Sequence, residues 1–348
     1  MSDEMVTNDY WNYSYTDGNS SSPTKGQENN SIRVVSLVLY SVACLLGIPG
    51  NAFVIWIAGI KMKRTINTVW FVSLALADLF CCISLPFSIA HILLDYHWIY
   101  GNAMCKFIPS VIVLNMFASV FTLMLISLDR FALVILPVWS QNNRSIPLAL
   151  LLCGLAWIMA FLLTLPSMIY RELLVIDDIN LTLCTYNDSN QSAIRASFVA
   201  RLVLGFLVPL LVITLCHLLI GRRVSSSRFK SRRAFRIILG VVVAFFVCWL
   251  PYHVIGMVME YGGEALGEVA QDLDPLAVAL AFVNSCLNPV LYVFMGQDFR
   301  ARVRVSLRKI FENVFSEDGN GTVPPSGYSI GQSQLSQATH SSEAQVEV

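Results

Sequence analysis

Seven stretches of this chain are each apolar for longer than most soluble helices: 34–59, 68–94, 105–136, 147–169, 197–220, 236–259 and 273–295. About 20 consecutive apolar residues carry a helix across bilayer hydrocarbon. In lipid, backbone polar groups must be satisfied internally, so only helices and closed barrels span a membrane. Runs of this length are not barrel strands. Of the 348 residues, 55% are hydrophobic and 13% charged, against roughly 25% charge in a soluble domain. The expected fold is therefore all-α: a seven-transmembrane helix bundle over 34–296. Residues 1–33 read as an extracellular, disordered tail. That tail has no apolar core, so it is not a cleavable signal peptide, and the first apolar run serves as the export signal.

Lys and Arg set the orientation. Lys61, Lys63, Arg64, Arg130 and Arg144 fall on one side, with Arg222, Arg223, Arg228, Lys230, Arg232, Arg233 and Arg236, and then Arg300, Arg302, Arg304, Arg308 and Lys309. The positive-inside rule makes that side cytoplasmic, leaving the N-terminus outside. Acids dominate the opposite side, among them Asp177, Asp178, Glu260, Glu264, Glu268, Asp272 and Asp274. An acidic mouth steers a cationic partner toward it.

Seven of the nine cysteines lie within apolar runs and read as packing residues. Cys105 and Cys184 remain, both on the oxidising side, and a disulfide between them is expected. Glycosylation sequons on that side stand at Asn12, Asn19, Asn29, Asn180, Asn187 and Asn190. Tyr10, Tyr13 and Tyr15 sit near acids in a setting suited to sulfation.

Ionisable residues inside a span are functional by default. Asp78 is midway through the second run. Asn115 and Ser119 share one face of the third, and Asn284 and Asn288 share one face of the seventh. One carboxylate with neutral oxygens from neighbouring helices suits a small hard cation, sodium; a purely structural polar network is the alternative. No other cofactor is expected. At the inner end of the third run, Asp129 and Arg130 form a charged pair able to hold helix ends together or release them. Pro86, Pro166, Pro209, Pro251 and Pro289 each remove a backbone hydrogen bond and permit a kink.

Residues 297–315 place Phe299, Val303, Leu307, Phe311 and Val314 on one face and arginines on the other. They read as an amphipathic helix on the inner lipid surface. Residues 316–348 read as a disordered cytoplasmic tail. Its Ser326, Ser329, Ser333, Ser336, Ser341 and Ser342 suit receptor kinases and arrestin, and its terminal "VEV" is a candidate PDZ ligand.

"GN" at 50–51, "LALAD" at 74–78, "LDRF" at 128–131, Trp157, Pro209, "CWLPY" at 248–252 and "NPVLY" at 288–292 together resemble the rhodopsin-like G protein-coupled receptors. Phe131 stands where that family usually has tyrosine. "KMKRTINTVWF", "LFCCISLPFSIAH", "IPSVIVLNMFASVF" and "CWLPYHVIG" resemble the complement anaphylatoxin receptors, and "FVNSCLNPVLYVFMGQDFR" equally the formyl peptide receptors.

The resemblance implies a plasma-membrane receptor for a cationic anaphylatoxin peptide ending in arginine. Component 3a is the first choice, with component 5a or a formyl peptide as alternatives. Mammalian component 3a receptors carry a very long second outer loop, whereas Arg171 to Arg195 here is short. By resemblance Arg171 and Arg201 hold the ligand carboxylate, Asp274 its guanidinium, and His253 lies near the pocket floor. Trp249 and Pro251 would bend the sixth helix, with Pro289 and Tyr292 turning the seventh, to admit an inhibitory-class G protein that signals chemotaxis and inflammatory activation. No nucleophile–base pair stands ready for enzymatic chemistry. The intramembrane polar groups cluster at one depth, which argues against a channel or transporter path. No nucleic-acid partner is expected.

Overall fold

The computed structural model describes residues 23–187, 190–225 and 232–295. Helices α1 (Pro23–Val54, continued by a π-helical stretch Ile55–Lys61), α2 (Ile66–Leu93) and α3 (Gly101–Ile135) come first. A short α4 (Pro137–Asn143) then leads into α5 (Ile146–Ile169). A hairpin of β1 (Arg171–Ile176) and β2 (Leu181–Tyr186) follows, and then α6 (Gln191–Leu202), which runs through a π turn, Val203–Leu207, into α7 (Val208–Ser225). Helices α8 (Arg232–Tyr261) and α9 (Gly263–Met295) complete the described chain. Counting α6–α7 as one crossing gives seven long helical rods. Six of them are long and apolar enough to span a membrane among the described residues, and α9 is the seventh rod.

Helix ends follow local chemistry. Thr65 caps α2, accepting from the Thr68 amide at 3.2 Å while the Thr68 hydroxyl accepts from the Thr65 amide at 2.9 Å. Pro147 sits in the first turn of α5, where its missing N–H costs nothing. Pro209 cannot donate to the carbonyl of Gly205, and the helix widens into its π turn immediately before it. Gly263, at φ 72°, makes the left-handed turn separating α8 from α9.

Two helices begin ten residues or more before their apolar runs. The first starts at Pro23 rather than 34, and the last at Gly263 rather than 273. Hydropathy measures the hydrocarbon layer, whereas a helix continues past it while its polar groups stay solvated. Arg33 anchors the extended part of α1: it pairs with Asp95 at 2.5 Å and donates to the carbonyl of Ile92 at 2.6 Å.

The bundle turns apolar side chains outward and buries a set of polar ones within its apolar core. Leu45, Ile60, Leu211 and Val247 are exposed, whereas Asp78, Asn115, Ser119, Asn284 and Asn288 are buried. Polar groups join the rods. Asn51 donates to the carbonyls of Gly47 at 2.9 Å and Ser285 at 2.8 Å, tying α1 to α9. Trp157 donates to Ser73, which bonds Thr122, tying α5, α2 and α3. Inter-helix bonds of this kind contribute roughly 0.6 kcal/mol each in a membrane.

Among the described residues the hairpin is the one sheet. Its strands pair antiparallel with Arg171 opposite Tyr186 and Leu173 opposite Cys184. Asn180, at φ 51°, closes the turn as an exposed residue, as asparagine does readily. The Cys105–Cys184 disulfide, Cα atoms 5.5 Å apart, fastens β2 to α3. The amide of Trp98 donates to Thr182, whose own amide donates to Nδ1 of His97.

Candidate functional site

Beneath the hairpin the rods enclose a cavity of about 330 Å³, walled largely by apolar side chains. That size suits a few residues of an inserted chain or a small ligand. Its polar groups are few and converge. Arg171 enters from β1, Arg201 from α6, Tyr252 and His253 from α8, and Asp274 from α9. Arg201 is 4% exposed, and a buried guanidinium is costly unless its donors are met.

Phenols meet them. One terminal nitrogen of Arg201 donates to the hydroxyl of Tyr186 at 2.9 Å and the other to that of Tyr252 at 3.4 Å. Its plane lies 4.7 Å from the Phe198 ring centre. Arg171 lies over the ring of its cross-strand neighbour Tyr186, 4.3 Å from the centroid, and its Nε has no partner. Among the described residues neither arginine has a carboxylate within ion-pair distance. Tyr186 is buried. Burial pushes its phenol up, but Arg171 and Arg201, with hydrogen bonds from Ser167 and Arg201, draw it down to about 7.

Asp274 stands half-buried across the cavity, with Asp272 two residues earlier on the same helix. His253 is buried, packs 5.0 Å from the Phe206 ring, and leaves Nε2 without a partner. Below it Trp249 is fully buried between Phe245 and Tyr252.

Deeper lies the polar cluster. Asn288 donates to Oδ2 of Asp78 at 2.7 Å. Ser119 donates to Oδ1 of Asn115, and Asn115 to Ser285. Oδ1 of Asp78, Oδ1 of Asn288 and both side-chain polar atoms of Asn284 are buried without partners. The oxygens among them, one from a carboxylate, are hard donors of the kind a small cation takes.

At the far end of the bundle, Asp129 is held by Arg144 through two bonds, of 2.7 and 3.1 Å. Arg130 is farther from Asp129, at 3.5 Å, and donates to Asn67. Pro251 and Pro289 lie inside α8 and α9, and Pro289 packs on Gly50.

Residues 50–292 match the family model described as 7 transmembrane receptor (rhodopsin family). The chain belongs to that receptor family. Its relatives include the C3a anaphylatoxin chemotactic receptor of Oncorhynchus mykiss, 68% identical over 99% of this chain and 96% of the relative. The receptor of the same description from Danio rerio is 55% identical over 90% of this chain and 84% of its own length. The C5a anaphylatoxin chemotactic receptor 1 of Oryctolagus cuniculus is 41% identical over 90% and 92%. This chain is thus a multi-pass membrane receptor of the complement anaphylatoxin group, not an enzyme.

The fold of this receptor brings Arg171, Arg201, His253 and Asp274 onto one cavity, and Asp78, Asn115, Ser119, Asn284 and Asn288 into one buried layer. Tyr186 and Tyr252, which satisfy Arg201, were not singled out from the sequence. A buried arginine implies partners, but nothing in the linear chain says they are phenols. Arg144, partner of Asp129, reads in the sequence only as one more inner basic residue. Among the sequons, Asn180 and Asn190 are exposed and Asn187 is half-buried, donating to Glu172 at 2.7 Å. The sequons at Asn12 and Asn19, the side chains of Asn29 and Tyr292, the segment 297–315 and the tail serines lie outside the described residues.

Proposed function

We propose that this receptor sits in the plasma membrane with its N-terminus outside and is activated by the C3a anaphylatoxin. The peptide's terminal arginine would enter the cavity beneath the hairpin. The carrying observation is two guanidiniums without carboxylate partners, facing an aspartate on the same apolar cavity. A C-terminal arginine has the complementary pair of groups. Its carboxylate takes the planar forks of Arg171 and Arg201, and its guanidinium takes Asp274. The relatives described as C3a receptors support this ligand, and the C5a receptor relative keeps component 5a as the second choice.

Ligand favours the active state only through contacts that improve in it. Tyr252 and His253 on α8 line the cavity one turn above Trp249 and next to Pro251, so a ligand pressing there bears on the bending point of that helix. The inner end of α8 would swing outward and open a cleft beside Arg130 for an inhibitory-class G protein, leading to chemotaxis. Sodium bound by Asp78, with Asn115, Ser119, Asn284 and Asn288 around it, would hold the inactive arrangement. Receptor kinases would then phosphorylate the tail serines, and arrestin would bind the phosphorylated tail.

Nucleotide exchange on a purified inhibitory G protein tests the assignment, with components 3a and 5a and a formyl peptide tried in turn. Component 3a is expected to respond and its form lacking the terminal arginine to fail; silence to all three sinks the ligand assignment. Asp274→Ala is expected to weaken intact component 3a by at least tenfold, the size of one lost charge-assisted contact of roughly 1.5–3 kcal/mol. It should barely change the arginine-less form. Equal losses for both forms would refute the role given to Asp274.

A further inference from the structure

We propose that Tyr186 is a resident counter-ligand of the arginine pair: it occupies Arg171 and Arg201 in the empty pocket and gives way to the incoming carboxylate. The inference rests on the reading that a peptide carboxylate binds this pair.

A carboxylate takes a guanidinium through two parallel N–H bonds from one edge of the fork. The two terminal nitrogens of Arg201 already point at oxygens, those of Tyr186 at 2.9 Å and Tyr252 at 3.4 Å. A bidentate anion therefore competes with the shorter of these bonds. The hairpin register sets Tyr186 opposite Arg171, so a single ring lies under one guanidinium while its hydroxyl engages the other. The remaining contact of that hydroxyl, to Ser167, is 3.4 Å. Two residues before Tyr186, Cys184 pins β2 to α3, so Tyr186 can turn its side chain without losing the hairpin.

Competition between a phenol and a carboxylate depends on pH. With a midpoint of about 7, Tyr186 is a neutral hydroxyl in mildly acidic solution and a phenolate in mildly basic solution. The phenolate is the stronger competitor, so ligand affinity falls as pH rises through 7. When the carboxylate displaces it, the phenolate loses its counter-charges in a buried place and takes one proton from solvent. The other ionisable groups on this cavity are Tyr40, His91, Tyr96, Tyr252, His253 and Asp274, besides the two arginines. Their titration persists when Tyr186 loses its hydroxyl, which lets one substitution separate them.

The test uses the full-length receptor in lipid nanodiscs and a synthetic C-terminal peptide of component 3a, as the free acid and as the C-terminal amide. For the wild type, affinity for the free acid should fall about tenfold between pH 6 and pH 8. Tyr186→Phe keeps the ring under Arg171 and removes the hydroxyl; the fall with rising pH should disappear, leaving only what the other cavity groups contribute, and affinity should exceed wild type at pH 8. The amide should show no such slope on either protein. Calorimetry in two buffers of different ionisation enthalpy should find wild type taking up about one proton per peptide at pH 8, and this decides the matter should Tyr186→Phe fail to fold. An undiminished tenfold fall in Tyr186→Phe, an equal fall for the amide, or the absence of proton uptake each overturns the inference. Tight binding of the free acid without pH dependence removes Tyr186 alone, whereas no binding of the free acid at any pH removes the carboxylate site with it.

Discussion

At the scale of single residues, charge placement separates what is held from what is waiting. Asp129 and Arg144 make a two-bond pair near the inner ends of the rods, and Asp129 is only 8% exposed at its side chain. Truncating one partner of such a pair leaves the other uncompensated. Arg144→Ala should therefore free Asp129 and Arg130 to rearrange. Basal nucleotide exchange is expected to rise severalfold while ligand affinity measured without G protein stays within about twofold, consistent with a shift of roughly 1 kcal/mol between states. Unchanged basal exchange would mean that Arg144 takes no part in holding the inactive form. Arg201 is the opposite case: a charge in a span interior, satisfied by phenols that another anion can replace. The expense of an intramembrane arginine was legible in the sequence. The identity of its partners was not, because Tyr186 reaches it only through the pairing of β1 with β2.

At the scale of elements, close approach of helices decides which substitutions matter. A Cβ on Gly50 would lie 3.1 and 3.2 Å from the ring carbons of Pro289, which cannot swing aside as a flexible side chain would. Gly154 has nothing within 4 Å of the same position. Gly50→Val should lower stability by about 1–3 kcal/mol, the usual cost of overpacking, while Gly154→Ala should be close to neutral. Melting temperatures of the two variants in one detergent compare them directly; equal shifts would show that α1 and α9 have slack between Gly50 and Pro289. The apolar runs locate the rods well because hydrocarbon thickness sets a minimum length. They misjudge where α1 and α9 begin because solvated polar residues continue a helix at little cost. The hairpin escaped notice because six-residue strands between two long spans leave a weak alternating pattern, and their pairing depends on the disulfide and on Trp98 and His97 of the neighbouring loop.

At the scale of the whole molecule, α2, α3 and α9 each carry residues of both the cavity and the polar cluster, so each site can bias the other through shared helices. If sodium stabilises the inactive arrangement, replacing choline chloride with sodium chloride at constant ionic strength should lower agonist affinity severalfold. Asp78→Asn should abolish that difference; a sodium effect surviving the substitution would place the ion elsewhere. The chain alone determined that seven helices cross a membrane, which side is basic, and that Asp78, Asn115, Ser119, Asn284 and Asn288 lie at membrane depth. Those properties follow from transfer free energies and helical periodicity, which act on neighbours in sequence. Only the tertiary structure decided that Arg171, Arg201 and Asp274 share one cavity, that Tyr186 stands between the arginines, and that Arg144 holds Asp129. Those contacts join residues far apart in the chain, and their distances depend on how rods and hairpin pack.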